Sequence, residues 1–288
     1  MNRDWHRSLE RALERAGHGA TRERFLAWRR IEAILLRHLY VMRRSWPRLL
    51  ELAYWPTVQM ILWGFVTLFY VQHSSWVAQA AGVLVSAVLL WDVLFRANLG
   101  VSVSFMEEMW ARNLAQLFAS PLRPHELVIA LALMSLLRTI ISVSPAMLLA
   151  LPLFGVSVFS IGVPLAAFFA NLLLFGWSIG LFVSALVLRL GLGAESLAWV
   201  SVFALAPLSG VYYPVDVLPA WLQPVAWSLP TSYVFEGMRA VLFEGAVRFD
   251  LLATGAALNL AYMAAATGFF LHTCRIARER GLLIQQGE

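Results

Sequence analysis

The sequence predicts an all-α integral membrane protein with six transmembrane helices. An amphipathic interfacial helix precedes them, a short cytoplasmic helix follows the second, and a re-entrant hairpin lies outside between the fifth and sixth. Three observations carry this. Of 288 residues 60% are hydrophobic and 14% charged, with a mean hydropathy of +0.70; an ordinary soluble domain carries roughly 25% charged residues. Six windows are long and apolar enough for the ~20 residues a bilayer crossing needs. The arginines fall almost entirely on one side of those windows.

The spans read as 49–71, 77–105, 126–151, 159–188, 196–214 and 251–274. The stretch Thr139 to Leu188 holds no Asp, Glu, Lys or Arg and is too long for one crossing. Pro152, Gly155 and Gly162 therefore mark a turn between spans three and four. All 22 basic residues are arginine. Residues 1–48 hold 12, and Arg275, Arg278 and Arg280 fall in the tail, residues 275–288. With both termini cytoplasmic, 18 of the 22 lie inside. Arg239 and Arg248 lie outside, and Arg96 and Arg138 sit within spans. The first 24 residues are too charged for a signal peptide and lack its apolar core.

Residues 1–17 read as a short polar helix. Arg3, Arg7, Arg11 and Arg15 line one face, Trp5, Leu9 and Leu13 another, and Gly17 and Gly19 end it. A solvated leader and an electrostatic contact with anionic lipid or an acidic partner both fit. Residues 22–47 place Trp28, Ile31, Leu35, Leu39, Met42 and Trp46 in a stripe. Arg29, Arg30, Arg37, Arg43 and Arg44 occupy other faces. That pattern suits the inner membrane interface, with packing on a soluble partner as the alternative. Pro47 ends or kinks it.

Met106 to Phe118 reads as a cytoplasmic loop helix. Its apolar side is Met106, Met109, Trp110, Leu114 and Leu117; its polar side is Glu107, Glu108, Arg112 and Gln116. Ser120-Pro-Leu-Arg-Pro124 terminates it. Periodicity leaves two readings equal, a knob for a partner's groove and a second interfacial helix. Between 215 and 245, Pro219, Pro224 and Pro230 continue a series begun at Pro214 and leave no room for a span. Yet Val217, Leu218, Trp221, Leu222, Val225, Trp227 and Leu229 are too apolar for a plain loop, which points to a re-entrant or interfacial hairpin. Tyr212, Tyr213, Trp221 and Trp227 sit where aromatic belts form.

Two of these segments, LSGVYYPVDVLPAWLQPVAWSLPTSYVFEGMR ending at Arg239 and MEEMWARNLAQLFASPLRPHEL from Met106, resemble the type-2 ABC transporter permeases. The family includes nodulation-factor, drug and polysaccharide exporters. The resemblance implies a re-entrant pair closing span five, and a coupling helix with an SPL turn entering span three. It implies that two permeases pair as a homodimer on two ATPase subunits, which supply ATP and Mg, and that the complex exports across the inner membrane. Glu107, Glu108, Met109, Trp110, Arg112, Leu114 and Leu117 are then the expected ATPase contact, the acidic pair and Arg112 polar and the rest anchoring. Tyr212, Tyr213, Pro214, Trp221, Trp227, Glu236 and Arg239 are the expected re-entrant and translocation-path residues. Membrane lipid is an expected partner and nucleic acid is not.

A P-loop requires lysine, and this chain has none, so any standard P-loop belongs to another chain. Single Cys274 excludes an intrachain disulfide, and the six histidines lack metal-ligand spacing. Inside the spans, Asp92 and Arg96 are spaced to pair. Arg138 either faces the path or pairs with Asp92. Asn171 and Asn259 read as interhelical hydrogen bonds, and Gly176 and Gly180 as a close-packing GxxxG. Trp55, Trp63, Phe65, Phe69, Trp91 and Phe95 offer stacking surface for a sugar or cover for a lipid tail. An intramembrane enzyme would have to draw on Tyr212, Tyr213, Asp216, Glu236 and Arg239, which form no catalytic set. A secondary transporter would need a second Pro-broken region in the first half, which is absent.

Overall fold

The structure is a computed structural model and describes residues 3–73 and 77–280, without the side chains of 3–22, 24, 48, 70–73 and 77–82. The faces assigned to Arg3–Arg15 and Trp5–Leu13 lie outside the described residues, as does the tail beyond Arg280. The break expected at Gly17 and Gly19 does not occur: α1 runs from Arg3 to Arg44. Glycine costs a helix about 1 kcal/mol relative to alanine. Without a cap or proline beside it, in a segment rich in Ala, Arg and Glu, that does not stop the helix. Pro47 then serves as an early residue of α2, Trp46–His73, where its missing N–H costs nothing.

Four more helices carry the apolar windows or close them: α3, Val77–Trp110; α5, Pro124–Phe154; α6, Pro164–Leu190; and α10, Phe249–Glu279. The short α4, Leu114–Ala119, lies between α3 and α5. The turn expected between spans three and four is present. α5 continues past Pro152 and stops at Gly155, whose φ of 68° is the left-handed conformation that favours glycine. Among the described residues, α2, α3, α5, α6 and α10 are long and apolar enough to cross a bilayer.

The fifth window is different. α7 covers Leu197–Leu205, and a 3₁₀ turn carries the chain to Leu208. Nine helical residues rise about 14 Å, half of a ~30 Å hydrocarbon core. Pro207 and the positive φ of Gly210, 64°, end the regular helix before 214. The loop helix expected over 106–118 is also divided. Met106–Trp110 is the last turn and a half of α3. The chain then reverses at Arg112, a non-glycine residue with φ 51°, and Asn113 starts α4.

Side-chain pairs fix the direction of each helix. Asn259 donates through Nδ2 to Asn171 Oδ1 (2.8 Å) and O (3.0 Å), Phe175 meets Tyr262, and Phe182 meets Phe269. Rising numbers pair with rising numbers, so α6 and α10 run the same way. α3 runs with them, since Gly176 lies against Leu94 and Ala97, and Gly180 against Asn98 and Val101. α2 and α5 run the other way together: Leu52 O accepts from Ser142, and Phe65 meets Phe154. The chain must therefore return between α6 and α10. α7 begins that return, antiparallel to α3, with Ala198 O held by Asn98 Nδ2 (2.7 Å) and Phe203 on Phe95.

The return finishes in α8, Gln223–Trp227, and α9, Pro230–Arg239. This hairpin lies beside α10, with Pro230 O close to Gly255 and Ser228 O accepting from the Tyr262 hydroxyl (3.2 Å). A π-helical turn, Ala240–Glu244, leads into α10.

α3 and α6 form the centre, and α2 and α10 the periphery, with 83% and 78% against 22% and 17% of their apolar windows buried. The closeness at the centre rests on glycine. A Cβ on Gly176 would stand 2.6 Å from Ala97 Cβ and 2.7 Å from Leu94 O. Gly268 on α10 has nothing within 4 Å of its Cβ position. Gly176→Ala is therefore expected to cost about 1–3 kcal/mol, while Gly268→Ala is neutral or stabilising. Thermal unfolding of the detergent-solubilised variants checks this; equal stability of the two would contradict the packing.

Candidate functional site

A cavity of about 550 Å³ opens between α2, α3 and α7. α2 contributes Glu51, Leu52, Trp55 and Gln59, and α5 contributes Arg138. α3 supplies a strip from Val88 to Trp110 that includes Trp91, Asp92, Phe95, Arg96 and Glu107. Trp199, Phe203 and Tyr212 close the remaining side. Seven aromatic rings thus share the wall with five charged side chains. Tyr212 stacks on Trp63 of α2 (centroids 5.0 Å, 21°), so the loop after α7 is tied across the cavity to α2.

The charges do not pair as expected. Asp92 and Arg96 are both buried in the wall, but Asp92 Oδ2 and Arg96 Nε have no hydrogen-bond partner. The Arg96 guanidinium lies over Phe95. Arg138 joins Glu107 (Nη2–Oε2 3.0 Å) rather than Asp92, while its Nε also lacks a partner. A buried polar atom left unpaired costs about 1–3 kcal/mol. The fold bears that cost on three charged side chains of one cavity.

Glu107 therefore faces the cavity, and Glu108 is occupied as well. Glu108 is 2% exposed and accepts from Arg37 Nη2 (2.7 Å) and Asn113 Nδ2 (3.0 Å). His38 Nε2 stands 3.5 Å from its other oxygen. The expected acidic contact with an ATPase is thus spent inside the chain. Three of the four apolar anchors are spent similarly: Met109 and Leu114 are buried in the core, beside Met106, and Leu117 packs against it, while Trp110 is exposed. Periodicity identified the apolar side correctly, but the side faces the chain's own helices. The outward surface of this turn is Trp110, Ala111, Arg112 and Gln116.

Those acids belong to a clamp that the sequence pattern did not reveal. Arg30 Nε and Nη2 donate to both oxygens of Glu126 (2.8 and 2.5 Å), and Arg123 N–H also donates to Glu126 Oε2 (3.0 Å). The bond to Glu126 raises the Arg30 guanidinium above its ordinary range. Arg123 Nη2 reaches Glu23 (2.6 Å), and Arg278 of α10 lies over Phe118 of α4 (4.7 Å). The face of α1 turned inward is Ile31, Ile34, His38 and Met42, packed on α5, while Trp28 and Trp46 stay exposed. The stripe read from the sequence is thus rotated by part of a turn. His38 and Glu126 were legible only in part: His38 lies four residues after Ile34, and Glu126 occupies the N3 position of α5.

In the hairpin, Glu236 and Arg239 hold the backbone. Glu236 Oε1 accepts from Val215 N–H (2.8 Å) and Arg239 Nη1 (3.1 Å). Arg239 Nη2 donates to the carbonyls of Gly210, Val211 (3.2 Å) and Tyr213 (3.0 Å). Tyr213 donates to Pro207 O (2.7 Å) and Trp227 packs edge-on to Tyr233, while Trp221 is exposed. Pro214 sets the extended backbone before a 3₁₀ turn. Of this set, Tyr212 lines the cavity; Glu236 and Arg239 brace the turn that carries it. Among the described residues no group of histidine, cysteine and acidic side chains forms a metal site.

A family model for the ABC-2 type transporter matches residues 29–243, well over half of the chain. The chain belongs to that family. It is a multi-pass membrane protein and a permease subunit of an ABC transporter, a kind of subunit that normally works with an ATPase subunit. A comparison with curated proteins gave no match.

The clamp predicts unequal costs for its two ends. Glu108→Ala removes the acceptor shared by Arg37 and Asn113, with His38 beside it, and is expected to cost about 2–3 kcal/mol. Arg37, 42% exposed, keeps water in compensation, so Arg37→Ala is expected to cost less than about 1 kcal/mol. Unfolding midpoints of the two purified variants test this; the reverse order would refute it.

Proposed function

We propose that this chain is the membrane half of an ATP-driven exporter. Two copies pair and stand on two ATPase subunits, which bind ATP and Mg. The complex moves an amphipathic or lipid-linked molecule (glycolipid, polysaccharide or drug) outward across the inner membrane. Membership in the ABC-2 family and the mixed aromatic and charged cavity support this reading, and the cavity carries it. Exposed rings on α2 (Trp55) and α7 (Phe203) rim an opening that suits a second copy and a tail-bearing substrate.

The path has six passages in this reading. The short α7 and the α8–α9 hairpin together make the fifth, and the hairpin is re-entrant from the outside. The arginine-rich end, where α1, α4 and the C-terminal turns of α3 and α10 meet, is cytoplasmic, as are both termini. The coupling surface is the turn Trp110–Arg112 with Gln116. A push on this turn acts directly on Glu107 and Glu108, hence on Arg138 in the cavity and on α1.

Co-expression with a candidate ABC ATPase subunit tests the reading. Trp110→Asp and Arg112→Glu are expected to reduce co-purified ATPase at least about tenfold, equivalent to roughly 1.4 kcal/mol, and to abolish permease-dependent ATP turnover. The permease alone should remain folded. Stoichiometric ATPase retained by both variants would refute this docking surface.

A further inference from the structure

We infer that the charged wall of the cavity is a headgroup subsite for a zwitterionic amphiphile. Its phosphate or other anion sits on Arg96 and Arg138, and its ammonium sits between Asp92 and the aromatic rings. This rests on the reading of the cavity as the substrate's site and names the class of substrate.

The presence of both signs selects the class. Glu51, Asp92 and Glu107 line one cavity together with Arg96 and Arg138, three acids and two arginines. A wholly anionic head would meet three carboxylates, and a wholly cationic head two guanidiniums. A neutral head would satisfy polar atoms, but without bonds charged on both sides, which are roughly twice as strong as neutral ones. A zwitterion complements both signs.

The state of these groups points the same way. Among the described residues, eight buried side-chain atoms lack a hydrogen-bond partner. The Asp, Glu and Arg side chains among them are Asp92, Arg96 and Arg138, each more than nine-tenths buried, and all three line this cavity. Asp92 and Arg96 sit one helical turn apart, within reach of a pair, yet each keeps an unpartnered atom. Opposite charges held side by side with unused bonding capacity form a site for a ligand that also carries both signs.

The aromatic residues supply the other half. Trp91 and Phe95 flank Asp92 and Arg96 on α3, and Trp55 and Tyr212 face them from α2 and the loop after α7. Ring faces attract an alkylammonium, and the exposed rings of Trp55 and Phe203 continue the wall with apolar surface fit for a tail.

The test uses the full chain in a polyoxyethylene detergent, which carries neither charge nor sugar. Four probes share a dodecyl chain: dodecylphosphocholine, dodecyl phosphate, dodecyltrimethylammonium and dodecyl maltoside, each below its micellar concentration. Tryptophan fluorescence reads binding. Dodecylphosphocholine is expected to bind at least about tenfold tighter than each of the others. Equal binding of all four, or preference for any other probe, overturns the proposal. Tailless phosphocholine is expected to bind at least about tenfold more weakly than its dodecyl form; equal affinity would make the ligand a soluble zwitterion and overturn the amphiphile.

Asp92→Asn should remove the preference over dodecyl phosphate, and Arg96→Gln should weaken both phosphate-bearing probes about tenfold. Unchanged preferences in both variants contradict the assignment. If either variant fails to fold, the comparison on the unaltered chain decides. The binding assay contains no ATPase, so the two readings fail separately. A zwitterion preference in a chain that never couples to an ATPase sinks the exporter and leaves the subsite. A flat profile in a chain that couples sinks the subsite alone.

Discussion

The close approach of α3 and α6 is the constraint on which the other positions depend. Inside a bilayer, helices gain little by hiding apolar side chains from lipid, because lipid is equally apolar. What holds them is van der Waals contact and a few polar bonds, and both need short distances. Gly176 and Gly180 provide the distance. Ser102 donates to Gly180 O (3.4 Å), a bond that a side chain at 180 would obstruct. The same device recurs on an adjoining side of α3. Gly100 admits Ser135 of α5, whose hydroxyl donates to Ala97 O (2.8 Å) and accepts from Trp177 Nε1 (3.1 Å). α3 is thus fixed from two sides in rotation and depth.

That fixation sets the chemistry. Once α3 is fixed, Asp92, Arg96 and Glu107 are directed to the side α6 does not cover, and the side left open becomes the cavity. Asn98, one residue after Ala97, holds α7 through Ala198 O, so the short helix is anchored to the packing centre. Glu107 and Glu108 are neighbours in sequence but point to different places, one into the cavity with Arg138 and one to α1. Adjacent residues beside the α3–α4 turn thus contact both Arg138 of the cavity and Arg37 of α1, with no long relay between them.

Much of this was legible in the sequence. Hydropathy located five helices to within a few residues, because a bilayer-length apolar run admits few alternatives. The asparagine pair and the GxxxG were legible because a polar or small residue in such a run has few uses. What escaped depended on which neighbour a residue meets. The apolar side of Met106–Leu117 has the same periodicity whether it faces a partner or its own bundle. The i, i+4 rule proposed a partner for Asp92 on its own helix, but no rule of spacing could join Arg138 to Glu107, 31 residues away. The stripe on α1 was displaced because Trp28 and Trp46 are apolar by composition, and yet the helix turns His38 inward to meet Glu108.

The short α7 follows from the same economy. A full-length helix there would have covered the cavity with a continuous apolar wall. Pro207 and Gly210 stop it, and the chain turns through Tyr212, whose ring reaches Trp63 on α2. The turn leaves backbone carbonyls without helical partners, which must be satisfied inside a membrane protein. Arg239 satisfies three of them with one guanidinium, and Glu236 secures both Arg239 and the Val215 N–H. A single rigid fork reaching several carbonyls is a use for which lysine is no substitute. Glu236 and Arg239 make an irregular segment tenable, and that segment gives the cavity an aromatic rim.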